Sequence, residues 1–385
     1  MNAVTKLSSI LLLGYLSTLA NAIEYDQNID VSFSAAAIKP DNTEQWQQQV
    51  SLSPKLNLWL YPSNDIEVSM RYGLNVVSVY PAASAGSILA SPEMGADYLL
   101  GNIDANLWRS SNNQTEISHQ LEQFMFTYWG ESSSVTVGRQ ALSFGLAKVY
   151  SPADVIQPTS VDFSQAGYRQ GVDAIRAAWY LGATSELSAG IVVGDDQAAF
   201  ARFKTNTQSI DFDLTAIQIN EDLQVASVGI LGAVGVVGLW QETALLREQN
   251  DVFIRSSIGA DTTFFSDLYV MAEYHYNGIG EPQSNYSNVA ISKFYQLGAV
   301  QPIAKQYVSV LASKPMTALL RGSANWVTNL NDQSGAGLLS VEASVTDNMS
   351  ASFGLTLPYG ESSDSEFTEY GAYPLIVNTS INWVF

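Results

Sequence analysis

Short segments that alternate apolar and polar residues recur through almost the whole chain, and no other property limits its fold as strongly. In Ile66 to Ser78, Ile66, Val68, Met70, Tyr72, Leu74 and Val76 form one face, and Glu67, Ser69, Arg71, Gly73 and Asn75 the other. A period of two is that of a strand with one apolar face. Tyr373 to Phe385 repeats it: Phe385, Trp383, Ile381, Val377 and Leu375 share one parity, broken only by Thr379, while Asn382, Ser380 and Asn378 hold the other. A final strand that ends on an aromatic residue, apolar face outward, fits the closing strand of a membrane β-barrel. A soluble sandwich that finishes on Phe is the alternative, and the rest of the chain must decide.

The segments number eighteen. Asn28 to Ile38, Trp46 to Tyr61 and Ile66 to Ser78 come first, with a tight turn at Pro62 to Asp65, followed by Glu116 to Trp129 and Ser134 to Phe144. Four pairs follow: Gly171 to Leu181 with Glu186 to Gly194, Ala198 to Asn206 with Ile210 to Ile219, Leu223 to Gly232 with Val236 to Leu246, and Val252 to Ala260 with Asp267 to Asn277. Lys305 to Ala312, Met316 to Asn329, Ala336 to Thr346, Ser350 to Pro358 and the terminal strand complete the set. Tyr98 to Trp108 is strand-like too, but counting it makes nineteen and puts a long loop on the side of the short turns. An even count is expected of such a barrel, so this piece is read as a local hairpin within a loop. Sixteen strands would result if one early pair is not real. Long extracellular loops are then expected at about 79–114, 145–170, 278–304 and 359–372, within one barrel domain over 23–385.

Val225 to Trp240 carries no charge and could be misread as a membrane helix, but Gly229, Gly232, Gly235 and Gly238 each cost a helix about 1 kcal/mol relative to Ala. A hairpin turning near Ala233 to Gly235 is preferred. Tyr128-Trp129, Trp179-Tyr180 and Phe264-Phe265 all fall beside short turns, at one level, as an interfacial girdle requires.

The first 22 residues contain one charge, Lys6, an apolar run from about Ile10 to Leu19 and the small-residue site Ala20-Asn21-Ala22. They read as a secretory signal peptide with Ile23 as the mature start. An exported chain without cysteine needs a source of stability other than disulfides. Charged residues make up only 14% against 46% hydrophobic, where a soluble domain carries about a quarter charged. Lipid contact accounts for the difference. The net charge of −20 argues against nucleic acid and against anionic head groups held on a basic patch. Acidic loops bridged by divalent cations are the more natural expectation.

The most specific string is VTVGRQALSFGLAKVYSPADVIQPTSVDF, from Val135 to Phe163. Val135 and Val137 fit the lipid face, and Arg139 falls on the same parity, so either a bulge turns it inward or it snorkels. Pro152 and Pro158 stiffen the loop that follows. Two readings stay open for that loop: it folds over or into the pore with Arg139, Arg169 or Arg176 pairing Asp154 or Asp162, or it is an ordinary capped extracellular loop.

With Gly138-Arg139-Gln140, Ser143, Gly145, Pro152-Ala-Asp154, Pro158, Glu273 to Gly278, Asn329 to Asp332 and Phe385, the chain from about Leu121 onward resembles a family of proteobacterial outer-membrane β-barrels, porin-like and related in pattern to alginate-export-type channels. Phe144 stands where such families usually carry Trp before the glycine. The resemblance implies a barrel and transport across the outer membrane of a Gram-negative bacterium, and it names no cargo. Trp383 and Phe385 resemble the terminal signal read by the barrel-assembly machinery. Outer-membrane lipid and lipopolysaccharide are the remaining partners so implied.

Parity places Arg202 and Lys204 inward on one strand, Asp211 and Asp213 on its partner, and Arg321 and Glu342 on another adjacent pair, with Arg176, Arg255 and Glu273 as further inward residues. Facing charges of opposite sign could set up a transverse field for polar solutes. Structural ion pairs closing a narrow lumen are preferred, because opposite charges inside a barrel mostly satisfy each other. Catalysis is not expected. His119 and His275 are the only histidines, His275 sits between Glu273 and Asn277 with no serine on its short strand, and no metal or phosphate motif occurs, so no cofactor is expected either. The sequence thus predicts an all-β transmembrane antiparallel up-and-down barrel of 16–18 strands, eighteen preferred, passing small polar solutes; a loop-plugged barrel with a structural or surface-interaction role is the alternative.

Overall fold

The computed structural model describes residues 24–40, 45–81, 97–101, 105–112, 114–158, 171–264, 266–282, 286, 291–363 and 366–385. The expected leader, residues 1–22, lies outside them, as do Asp162, Arg169 and Phe265.

The main sheet has nineteen strands, of which Ala105–Arg109 is a short spur on one neighbour and the other eighteen close a barrel. In chain order these are β1 (Glu24–Lys39), β2 (Gln47–Ser63), β3 (Ile66–Tyr80), β4 (Thr115–Trp129), β5 (Ser133–Gln140) and β6 (Val172–Tyr180). Next come β7 (Ser185–Val192), β8 (Ala198–Thr207), β9 (Ile210–Ile219), β10 (Leu223–Val234), β11 (Val237–Glu248) and β12 (Asp251–Phe264). The last six are β13 (Leu268–Asn277), β14 (Gln306–Pro315), β15 (Leu320–Asn329), β16 (Gly335–Thr346), β17 (Met349–Tyr359) and β18 (Leu375–Val384). Every strand pairs antiparallel with the next, and β18 returns to β1, with Val384 opposite Asp30 and Leu375 opposite Lys39. Phe385 extends this seam: its N–H donates to the Ile29 carbonyl at 2.9 Å, and the Ile29 N–H donates back at 3.3 Å.

Closure satisfies every strand edge, which hydrocarbon demands because it offers no hydrogen bonds to an exposed backbone. Leu214, Ile254, Ile258, Trp326 and Phe353 stand exposed on the outer face, each at the alternate positions that the pleat turns outward. Tyr128, Trp129, Trp179, Tyr180 and Phe264 are exposed beside the short turns. No helix among the described residues is long and apolar enough to cross a membrane. The uncharged stretch Val225 to Trp240 forms the β10–β11 hairpin, and Gly235, at φ +65°, makes its turn.

All connections at one end of the barrel are short turns, eight in number. The long connections, over 81–114, 141–171, 278–305 and 360–374, start and finish at the other end, together with short ones such as 220–222 and 249–250. Within the first, Ala105–Arg109 pairs with Glu116 to His119, the local hairpin expected of the Tyr98 to Trp108 piece. One boundary differs in consequence. Ser134 to Phe144 is expected as one strand, yet β5 stops at Gln140, and Leu142 and Phe144 leave the wall to pack in the interior. Alternation carries on through Ser143 in the sequence, so periodicity could not register the departure. The apolar side chains are drawn instead to an inner wall that is itself apolar at this level: Val192, Phe200, Ile217 and Leu246 belong to one buried cluster with Phe144, whose ring stands edge-on to Phe200 at 5.1 Å between centroids.

Candidate functional site

The segment 141–158 enters the barrel and is fastened to the inner faces of β8 to β13. Glu242, on β11 and 1% exposed, accepts from the Leu146 N–H at 2.6 Å, the Ala147 N–H at 2.8 Å, the Ala153 N–H at 2.8 Å and the Ser151 hydroxyl at 2.8 Å. Glu273, on β13, accepts from the Lys148 N–H at 2.9 Å, the Tyr150 N–H at 2.8 Å, the Val149 N–H and the Trp240 indole at 2.8 Å. Two carboxylates therefore hold six consecutive-turn amides of a loop that has no ladder of its own. Charge-assisted bonds of this kind are roughly twice as strong as neutral ones, and they meet the rule that buried backbone donors find acceptors. Gly145, at φ +85°, is required here: a Cβ would stand 2.4 Å from one Glu242 carboxylate oxygen.

Further ties come from the same wall. Arg202 on β8 forms a buried pair with Asp213 on β9, its Nε donating at 2.9 and 3.1 Å, and the guanidinium also donates to the Ser143 carbonyl at 2.7 Å and the Gly145 carbonyl at 3.2 Å. Ser257 donates to the Tyr150 carbonyl at 2.5 Å and lies 2.7 Å from His275 Nδ1, while the Tyr150 and Tyr307 rings enclose the imidazole. Arg255 donates to the Pro152 carbonyl at 3.4 Å. At the tip, the Lys148 ammonium pairs with Asp261 and lies 4.6 Å from the centre of the Trp240 ring. Burial pulls the Lys148 pKa down, but the contacts with Asp261 and Tyr269 together outweigh it and the net direction is upward.

The other charged positions expected inside the barrel are arranged as follows. Arg139 is buried to 3% beyond Gly138, whose φ of +121° distorts the strand, and its guanidinium meets Asp173 at 3.2 Å, the Leu121 carbonyl at 2.9 Å and the Gly101 carbonyl at 3.1 Å. It does not snorkel. Arg176 pairs with Glu186 at 2.7 Å, and among the described residues it meets no acidic residue of the loop. Asp154 accepts from the Phe144 N–H at 3.3 Å, inside its own loop. Lys204 stands in register with Asp213, and Asp211 accepts from Asn206 at 2.8 Å. Arg321 and Glu342 face each other in register but form no ion pair among the described contacts; Arg321 reaches Ser313 at 3.5 Å. Both sit at the open, exposed end of their strands, where water screens the attraction and holding two long side chains in one geometry gains little. Trp383 and Phe385 stack at 4.5 Å and are exposed.

Glu242, Ser257, Trp240, Lys148 and Asp261 carry much of this arrangement and were not singled out from the sequence. One signal was available for Glu242: it shares the inward parity of Trp240 and Ala244 inside a long uncharged stretch, and a lone carboxylate on a buried face requires donors. Which donors could not be read, because they are backbone amides about ninety residues away. Lys55 and Glu122 form another inner pair at 2.7 Å, beside Asn57 and Arg71. Among the described residues no three His, Asp or Glu side chains come together as a metal site.

No family model matches the chain, and no curated protein matches it in sequence. Its architecture is nonetheless similar to solved structures: OccAB2 of Acinetobacter baumannii at TM-score 0.58 and 8% identity, OccAB4 of the same organism at 0.54 and 12%, and OccK8 (OprE) of Pseudomonas aeruginosa at 0.57 and 8%. Each alignment covers 94% of this chain and 98% of the other. The chain shares with them a closed antiparallel β-barrel fold of eighteen strands. At such identities the likeness is one of architecture, and what this barrel does has to be argued from its own residues.

Proposed function

We propose that the protein is an outer-membrane channel that passes small polar solutes through a lumen narrowed by the segment 141–158. The supporting observation is the pair of buried carboxylates, Glu242 and Glu273, which bind the loop backbone to one inner wall and leave the opposite wall, on β15 to β18 and β1 to β2, lined mainly by serine and asparagine with the opposed charges Arg321–Glu342 and Asp30–Lys55. A loop fixed by so many charge-assisted bonds keeps a defined distance from that wall, which is what a size-selective passage requires. The long-loop end is then extracellular and the aromatic belt beside the short turns periplasmic. Arg202–Asp213 and Arg176–Glu186 serve as structural pairs on this reading, and Ser257–His275 is part of the loop mooring, closed off from any substrate.

A loop-plugged barrel with a surface role is the second reading, favoured by the apolar cluster that joins 142–156 to 279–300 at the long-loop end. Conductance of the purified protein in a planar bilayer separates the two. Discrete conducting events are expected; their absence, where a control porin opens, would overturn the channel.

A further inference from the structure

The wall opposite the loop differs in chemistry from the wall that holds it. Ser352 stands in register with Ser380, Ser380 with Ser34, and Ser34 with Ser51, so four hydroxyls form one row across β17, β18, β1 and β2. This row crosses the seam where the barrel closes. Ser350, Asn382 and Ser32 make a second row beside it, and Ser323 faces Ser340 on the neighbouring strands. The side chains touch in pairs: Ser34 and Ser51 at 2.5 Å, Ser352 and Ser380 at 2.7 Å, Ser323 and Ser340 at 2.6 Å, and Ser32 donating to Asn382 at 2.6 Å.

Adjacent strands lie about 4.8 Å apart and same-face residues about 6.8 Å apart along a strand, so these groups form a two-dimensional grid. Each serine pair consumes one hydroxyl proton and leaves a second proton and several lone pairs, and the members are half-buried, open on the lumen side. Charge borders the grid in two opposed pairs, Arg321 with Glu342 at one end of the row and Asp30 with Lys55 beside Ser32 on β1 and β2, so it carries no net charge. Beyond Ser51, further along β2, Asn57 donates to Asn28 at 2.6 Å and Asp30 at 2.7 Å and accepts from Arg71 Nε at 2.6 Å. Trp59 shares the inward parity of Asn57, two residues on.

We infer that this wall is a track for neutral polyhydroxylated solutes, mono- and oligosaccharides, with the serine grid exchanging hydrogen bonds with sugar hydroxyls and Trp59 offering a platform for their C–H faces. The inference rests on the channel reading and names the solute class for it. An ionic solute would find no net countercharge on the grid, and an apolar one would leave its hydroxyls unsatisfied. A polyol is both donor and acceptor, as the grid is. Hydroxyl-to-hydroxyl contacts are individually weak, so binding on the order of 1–100 mM is expected, tight enough to draw a solute in and loose enough to release it.

The test is single-channel recording with maltotriose against a polyethylene glycol of the same size. Maltotriose should produce reversible current interruptions that saturate with concentration, whereas the glycol should lower the current without saturating. In the S34A/S352A/S380A variant the half-blocking concentration, measured relative to its own open current, should rise at least tenfold; S380A alone and W59L give smaller shifts in the same direction and serve if the triple variant does not fold. Equal behaviour of sugar and glycol, or unchanged block in the variants, overturns the saccharide track and leaves the channel standing. Absence of all conductance overturns the channel reading and this inference together.

Discussion

Glu242 shows how one side chain fixes the path of a loop. Its two oxygens serve three backbone amides and one hydroxyl of 146–153, and removal of the carboxylate leaves those donors unpaired in a site that water does not reach. At about 1–3 kcal/mol for each unsatisfied buried group, E242A is expected to cost several kcal/mol locally and to free the loop. The expected result is a larger and noisier single-channel current than that of the native protein, with the barrel still resisting denaturation on an unboiled gel; an unchanged current would show that the loop is held by other means. Gly145→Ala tests the same contact from the other side, since a Cβ would meet the Glu242 carboxylate and the backbone is left-handed there. It should resemble E242A in current. Asp213→Asn is a milder case: Arg202 keeps the Ser143 and Gly145 carbonyls but loses its countercharge, and breaking a buried pair costs about 3–5 kcal/mol, so a lowered unfolding temperature is expected. Arg202, Asp213, Glu273 and Glu242 all lie on inward parity, but the loop groups they meet were legible for none of them, because parity reports the face and not the partner.

At the level of elements, the loops at one end form a connected cap. Glu369, in the 360–374 connection, accepts from Tyr307 at 2.7 Å, Asn329 at 2.8 Å and the Ile303 N–H at 3.5 Å, while its own N–H donates to Asp332 at 2.8 Å. Burial raises its pKa from 4.5 to about 7, the Tyr307 hydroxyl opposing and the Asp332 carboxylate assisting. A raised carboxyl pKa means the folded cap holds its proton more tightly than the open one does. The hold of the cap is therefore complete below about pH 4.5 and is lost as pH rises through about 7, a difference of order 3 kcal/mol. Protease cleavage within 360–374 is expected to be slow at pH 5 and faster at pH 8, and E369Q should remove that dependence; cleavage that ignores pH would refute the assignment. The loop positions themselves were readable from Pro, Gly and acidic residues. Their mutual contacts were not, since Glu369 meets residues about forty and sixty positions away.

For the whole molecule, stability comes from closure. Every strand edge is paired and the seam ends on Phe385, whose N–H and carbonyl both bond to Ile29. Deleting Phe385 removes two backbone bonds and an exposed ring at the level of the periplasmic interface, so the yield of folded barrel in the outer membrane is expected to fall several-fold, read as the fraction migrating faster on an unboiled gel; native yield would dismiss Trp383 and Phe385 as an assembly signal. The alternation of Ile66 to Ser78 and Tyr373 to Phe385, the even series of strands, the girdle at Tyr128-Trp129 and Trp179-Tyr180 and the choice of hairpin over helix at Val225 to Trp240 were all determined by the sequence, because side-chain period, turn residues and strand length are local properties that hydrocarbon forces into one arrangement. Which way the 141–158 segment turns, that Arg176 meets Glu186, that Arg321 and Glu342 form no ion pair among the described residues, and that serines from β17, β18, β1 and β2 fall into one row were decided only by the tertiary structure. These depend on register around a closed ring and on backbone donors distant in sequence, and neither leaves a trace in the order of residues along a single strand.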